Sequence, residues 1–418
     1  MSNYISCRKC DKKYCLIYTG HCFIVIIVFF LSLFLKDNDI LNSHSVFKLF
    51  ITYFGMFLFI IPELILKLKM KNSNSINSDI KKNKKLNGAI QYIYTDLSDK
   101  TTWKDYIHIG IISFILLLID FIKIFIEKKT KCQNAEYFFT TLPFLLFISI
   151  FIYKTEFYKH QYISIIIITI LGIYQYIIKI TNYYKNSSDF LTIIFDLVLQ
   201  ILIGIGEAIY FSYIKGLMNY KFFSPYKVCY IFGFINMCII LIILFIISGI
   251  ECQSDSYLCT IKQEKQDKDG KNTILFFDNI YLIFENINAF QIFILILISV
   301  CLGALKLLIN LIINYYTVCH IFVFLQNNGV YDSINNEIKN QTNLFIELTL
   351  GISHLINFIF SSVFLEIIEF KCCGLNENYK ENIKKRVEEE NRISAGENNN
   401  VDENEDQDNS FSNEESQD

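Results

Sequence analysis

The chain has 418 residues, 53% of them hydrophobic and 16% aromatic, with 38 basic and 41 acidic side chains for a net charge of −3. That is more apolar material than a soluble domain of this length needs for one core, so water is not its main solvent. The near balance of charge leaves no basic field for nucleic acid, and no nucleic-acid partner is expected.

Residues 1–20 read as a cytoplasmic segment carrying Arg8, Lys9, Lys12 and Lys13. Cys7 and Cys10 have C-x2-C spacing, with Cys15 beyond, but a fourth ligand is missing, so neither a metal nor a cofactor is expected. Ten apolar runs of roughly 15–29 residues follow, nearly all long enough to cross a hydrocarbon layer of about 30 Å as a helix. They are His21–Leu35, Val46–Leu68, Ile107–Ile126, Tyr137–Tyr153, Gln161–Ile180, Phe190–Met218, Val228–Ile247, Ile292–Leu308, Leu311–Leu325 and Leu344–Ile368. The expected fold is all-α, a polytopic membrane protein of about ten transmembrane helices with the lipid bilayer as its solvent. No small-residue cleavage site accompanies the first run, which reads as a signal anchor.

Three polar interruptions exceed a tight turn. Residues 71–105 are rich in Lys, Asn and Ser and end near Trp103, a ring suited to the membrane surface. Residues 250–280 form the longest loop on the opposite side, where Cys252 and Cys259 either pair or remain thiols. Residues 371–418 begin basic and turn acidic, too polar to bury a core, and are expected to be disordered. Lysine and arginine accumulate at 8–13, 71–104, 215–227 and 371–386, which places both termini in the cytoplasm. Asn186 opens a glycosylation sequon, and Cys372 and Cys373 follow the last run as candidates for acylation.

Ionisable groups inside the runs carry the functional signal, because a charge at the bilayer centre costs at least about 2.5–3.5 kcal/mol. Glu207 follows Gly204 and Gly206, with Asp196 three turns earlier. Lys306 follows Gly303 and shares a helix face with Asn310 and Asn314. A Lys306 to Glu207 pair would cancel two buried charges. Glu63, next to Pro62, pairs either with Lys67 or with a solute, and Asp120 and Lys123 are close enough to neutralise each other. His320, His354 and Asn357 are candidates to line a cavity or to bridge helices. The six histidines form no H-x3-H or H-E-x-x-H cluster, and no nucleophile elbow or Walker loop is present, so an enzyme is not expected.

Two junctions carry a resemblance to a known family. One is the stretch 138–177, with Glu156, a short turn, His160 and Gln161, then a helix containing Gly172. The other is 206–236, where a helix ends in a turn holding Ser224 and Pro225, and the ending at 366–386 adds to it. These segments resemble the drug/metabolite transporter superfamily, which includes nucleotide-sugar and triose-phosphate carriers. The resemblance implies two inverted five-helix repeats, 21–180 and 187–370, with a solute site near the midplane and alternating access. It implies a secondary transporter of a small polar metabolite in an endomembrane, and leaves a homodimer open. Glu207, Lys306 and Asn310 are placed in the cavity, with Tyr174, Gln175 and Tyr210 as walls, although any single tyrosine more often anchors a helix at the lipid interface. The family pattern is not fully kept: 328–343 is unusually polar, and no run carries an arginine to clamp phosphate. Within transport, a proton-coupled carrier with Glu207 as proton site stands as an alternative. Outside it stands a membrane scaffold or trafficking protein whose interior is dry and whose tail binds partners.

Overall fold

A computed structural model describes residues 5–7, 12–35, 44–76, 102–130, 138–183, 190–252, 259, 261–267, 270–320, 344–366, 368–370 and 382–390. Expectations for Cys10, Asn186, Cys372 and Cys373 lie outside these residues. The elements are β1 (Ile5–Cys7), α1 (Lys12–Leu33), α2 (Ser45–Phe57), α3 (Ile60–Ile76), α4 (Trp103–Thr130), α5 (Phe138–Phe151), α6 (Lys159–Tyr183) and α7 (Phe190–Tyr220). Then come α8 (Pro225–Ser248), β2 (Glu251–Cys252), β3 (Ile261–Asp267), β4 (Gly270–Phe276), α9 (Ile280–Asn286), α10 (Ala289–Tyr315), α11 (Leu344–Phe364) and β5 (Ile368–Phe370).

Seven helical spans among the described residues are long and apolar enough to cross a membrane: Leu16–Leu33, Ser45–Leu68, Trp103–Ile126, Lys159–Ile178, Ile194–Tyr220, Pro225–Ser248 and Ala289–Tyr315. Two of the remaining predicted runs fall on shorter apolar helices, Thr141–Phe151 and Thr349–Phe364. The run predicted at Leu311–Leu325 begins inside α10 instead of opening a new span. Asn310 and Asn314 do not break that helix, because a buried polar side chain is tolerated where it faces protein and not lipid.

Surface and interior are sorted as a bilayer requires. Large apolar side chains such as Phe23, Phe114, Ile166, Ile242 and Phe293 are exposed, whereas Glu63, Asp196, Glu207, Asn236 and Asn310 are buried. Contiguous apolar exterior on this scale is wetted by lipid, and internally bonded helices leave no backbone group unpaired in it.

The chain divides into two compact units. The larger comprises Asp11–Thr155 and Ile168–Asn357. Its centre is α2, which packs against α8 and α10. Glycines permit this approach: a Cβ on Gly55 would lie 1.8 Å from the Ser299 carbonyl oxygen, one on Gly303 2.3 Å from the Gly55 carbonyl carbon, and one on Gly233 2.5 Å from the Phe57 nitrogen. The Ser299 hydroxyl donates to the Ile51 carbonyl at 2.8 Å across the same contact. Small residues let helix backbones meet where lipid removes any hydrophobic drive between them.

α2 ends at Phe57, with Leu58 as its C-cap, and α3 starts at Ile60. Pro62 explains the break, because its ring opposes the carbonyl four residues earlier, that of Leu58. Ser224 caps α8 by accepting from the Lys227 N–H at 2.9 Å, with Pro225 at the first helical position. Asn288 and Gln291 form a capping box at the start of α10.

The all-α expectation misses two small antiparallel sheets. In the larger unit β2, β4 and β3 form a three-stranded sheet in the order β2-β4-β3, with Asp267 opposite Gly270 across a two-residue connection. Cys252 and Cys259 are disulfide-bonded, with their Cα atoms 5.9 Å apart. The smaller unit, Met1–Cys10, Glu156–Ile167 and Phe358–Asp418, pairs β1 with β5, Ile5 opposite Phe370. Residues 382–390 of the tail are helical in place of the disorder expected there, with Lys384 and Glu388 in an i,i+4 ion pair.

Candidate functional site

α7 brings its acidic side chains to the interior. Asp196, Gln200 and Glu207 are all buried on it. Gly206 admits α4, since a Cβ there would lie 2.5 Å from Ile119 Cδ1. Ile119, Ile126 and Ile203 make an apolar layer between the two helices. Glu207 Oε1 accepts a hydrogen bond from the Lys123 ammonium in an ion pair, and its Oε2 accepts from the Thr141 hydroxyl at 2.7 Å. The expected Lys306 to Glu207 pair is thus replaced by one with Lys123. Spacing along the sequence shows which helix face carries a charge but not which helix lies opposite.

Asp120, three residues before Lys123, acts on it electrostatically but forms no ion pair with it. Its Oδ2 accepts from the Tyr53 hydroxyl of α2 at 2.5 Å, and Asp120 has no ion-pair partner among the described residues. Tyr210 and Asn236 border the Tyr53 hydroxyl, and Asn236 is fully buried. Tyr210 packs edge-on against Phe232, with ring centroids 5.5 Å apart.

Lys306 and Asn310 lie one turn apart on α10. Lys306 is half-buried, acts electrostatically on the Cys229 thiol of α8, and has no ion pair among the described residues. Asn310 is buried with its amide nitrogen unpartnered. Cys229 in turn acts on Tyr210, and Asp120 does too. Electrostatic neighbours thus run from Lys306 to Cys229, Tyr210, Asp120 and Lys123, the last of which is paired with Glu207.

The other predicted residues lie elsewhere. Gln175 Nε2 donates to the Ser353 hydroxyl of α11 at 2.7 Å and lies 3.5 Å from His354 Nδ1, so these three bridge helices. Asn357, next on that face, is buried with both amide atoms unpartnered. Tyr174 is 42% exposed among lipid-facing side chains, as an anchoring ring would be. Glu63 takes the bland option: it lies 3.7 Å from Lys67 and accepts from the Ser224 hydroxyl at 2.7 Å. His320 bonds the Thr317 hydroxyl at 2.8 Å and stacks on Tyr316.

The capping roles of two side chains escaped the sequence reading. The Lys215 ammonium donates to the carbonyls of Ile313 and Tyr316 at 2.6 and 2.9 Å, closing the C-terminal end of α10. Asp278, fully buried, accepts from the Val46 and Phe47 N–H groups at 2.9 and 3.0 Å and lies 2.5 Å from His44 Nδ1. A carboxylate from beyond β4 thereby caps α2. Asp278→Ala is expected to destabilise the fold by about 2–4 kcal/mol through loss of the cap and a buried charged acceptor. Asp278→Asn should keep part of that, and faster hydrogen exchange at Val46 and Phe47 in the alanine variant checks the cause.

Buried ion pairs and unpartnered amides inside an apolar exterior define a polytopic α-helical membrane protein. No protein-family model and no curated protein matches the chain.

Proposed function

We propose that the protein is a secondary transporter that carries a small polar, anionic metabolite across an endomembrane by alternating access between two five-helix halves. The observation that carries this reading is the pair Lys306 and Asn310, a cation and a buried amide donor on one face of α10 with no bonded partner among the described residues. Burying such groups unsatisfied costs free energy, and a solute carboxylate, sulfate or phosphate would satisfy both. Tyr210 and the Lys123–Glu207 pair belong to the same run of electrostatic neighbours and would shape the site. The basic segments and the Cys252–Cys259 disulfide support cytoplasmic termini with the 250–280 loop on the oxidising side.

One observation favours the scaffold reading, namely that Glu207 is fully met by Lys123 and Thr141, as in a static interior. Uptake of labelled nucleotide sugars, phosphorylated sugars, organic acids and amino acids into proteoliposomes separates the two. Saturable uptake of one class is expected, lost at least tenfold in Lys306→Ala and retained in Tyr174→Phe. Failure across the panel by well-folded protein would instead support the scaffold.

A further inference from the structure

Three consecutive residues lace the joint between β4 and α9 to three helices. Asp278 accepts from the Val46 and Phe47 N–H groups and so closes the first turn of α2. Asn279 accepts from the Tyr281 and Leu282 N–H groups at 3.0 and 3.3 Å and caps α9. The Ile280 N–H donates to the hydroxyl of Ser248, the last residue of α8, at 2.9 Å. Ser248, Asp278 and Asn279 are all buried, so water does not stand in for any of these partners while the joint is closed.

The small sheet fixes the same joint. Glu251 of β2 lies opposite Phe276 of β4, and Cys252 opposite Leu275. On the other edge of β4, Ile261 of β3 also lies opposite Phe276, and both of these side chains are buried. β2 has only two residues, too few to hold its register on β4 by hydrogen bonds alone. The covalent link from Cys252 to Cys259, two residues before Ile261, fastens β2 to the chain that enters the strand on the far edge. Phe276 is thereby gripped between two strands that one bond ties together, and Asp278 stands two residues further on. Both cysteines are half-buried, within reach of a small thiol.

We propose that the Cys252–Cys259 disulfide is a redox-operated clamp on the entry of α2. Intact, it holds Asp278 against the Val46 and Phe47 amides; reduced, it lets β2 leave β4 and the cap open. The reductant is a dithiol. One of its thiolates attacks a cysteine sulfur, the S–S bond breaks to give a mixed disulfide, and the second thiol displaces that link. Two cysteine thiols and an oxidised dithiol result, after transfer of two electrons and two protons. The clamp needs no solute and is independent of the carrier reading. Its target is the helix on which α8 and α10 pack.

Hydrogen exchange of the full chain in lipid vesicles, oxidised and after treatment with dithiothreitol, tests the clamp. On reduction the Val46, Phe47 and Ile280 amides should exchange about tenfold faster or more, since a short cross-linked loop regains its conformational freedom and the joint opens locally. The Lys227 amide, held by Ser224 at the other end of α8, should keep its rate, and reoxidation should restore the other three. The double variant Cys252→Ser, Cys259→Ser should exchange like the reduced protein and ignore the dithiol. Reduction of native protein that is already folded decides the matter even where that variant does not fold. Unchanged exchange at Val46 and Phe47, once alkylation shows Cys252 and Cys259 to be reduced, overturns the proposal. So does a dithiol response that persists in the double variant, or loss of protection in every helix at once, which would make the disulfide a staple of the whole fold.

Discussion

Replacing Lys123 by methionine is expected to destabilise the protein by about 3–5 kcal/mol, because it leaves Glu207 as an uncompensated charge in a water-poor interior. The pair joins α4 to α7, with side chains 19% and 6% exposed, so solvent does little to screen it. Adding Glu207→Met to Lys123→Met should return more than half of the loss, since a buried pair replaced by apolar groups of similar volume is often neutral. Loss of the Thr141 to Glu207 hydrogen bond accounts for about 1 kcal/mol of the remainder. Denaturant titration of both variants in detergent or bicelles reads the cycle. Equal destabilisation in single and double variants would mean that packing, not charge, dominates there.

Gly55→Ala should cost about 3 kcal/mol or more, at the upper end for overpacking. The added methyl would meet the Ser299 carbonyl, which is backbone and cannot rotate away as a side chain would. Gly303→Ala meets the Gly55 backbone from the other side and should behave alike. Gly110→Ala and Gly351→Ala are the contrast: both lie in helices with open space at the Cβ position, so they should be neutral or gain up to about 1 kcal/mol from helix propensity. Opposite signs for two chemically identical substitutions, read as melting shifts in one detergent, would place the α2–α10 contact at the centre of the fold.

The spans were legible because a bilayer imposes one simple rule, length times hydropathy, on each segment by itself. Features that depend on neighbours in sequence were legible as one of two options each. Glu63 with Lys67 is an i,i+4 pair, Pro62 acts on Leu58, and Cys252 lies seven residues before Cys259. What depends on neighbours in space was not. Lys123 was read against Asp120 on its own helix and Lys306 against Glu207, whereas the folded chain pairs Lys123 with Glu207 and gives Asp120 to Tyr53. Strands β3 and β4 were hidden because I-K-Q-E-K-Q-D has no apolar alternation, leaving the Asp269-Gly270 turn signal alone. The runs Ile292–Leu308 and Leu311–Leu325 were read as separate, whereas one helix continues through Asn310 to Tyr315.

The aspartate that closes α2 belongs to a part of the chain made much later. Asp278 lies 232 residues beyond Val46, and at a synthesis rate of roughly 5–20 residues per second the two are separated by about 10–50 s on the ribosome. Over that interval α2 has left the ribosome with its first amide groups still unanswered by protein, so whatever holds it must be water at the membrane rim or the insertion machinery. Release from that holding would come only once the segment holding β2 to β4 and Asp278 has been made and has folded back onto α2, which makes its arrival the event that completes the second span.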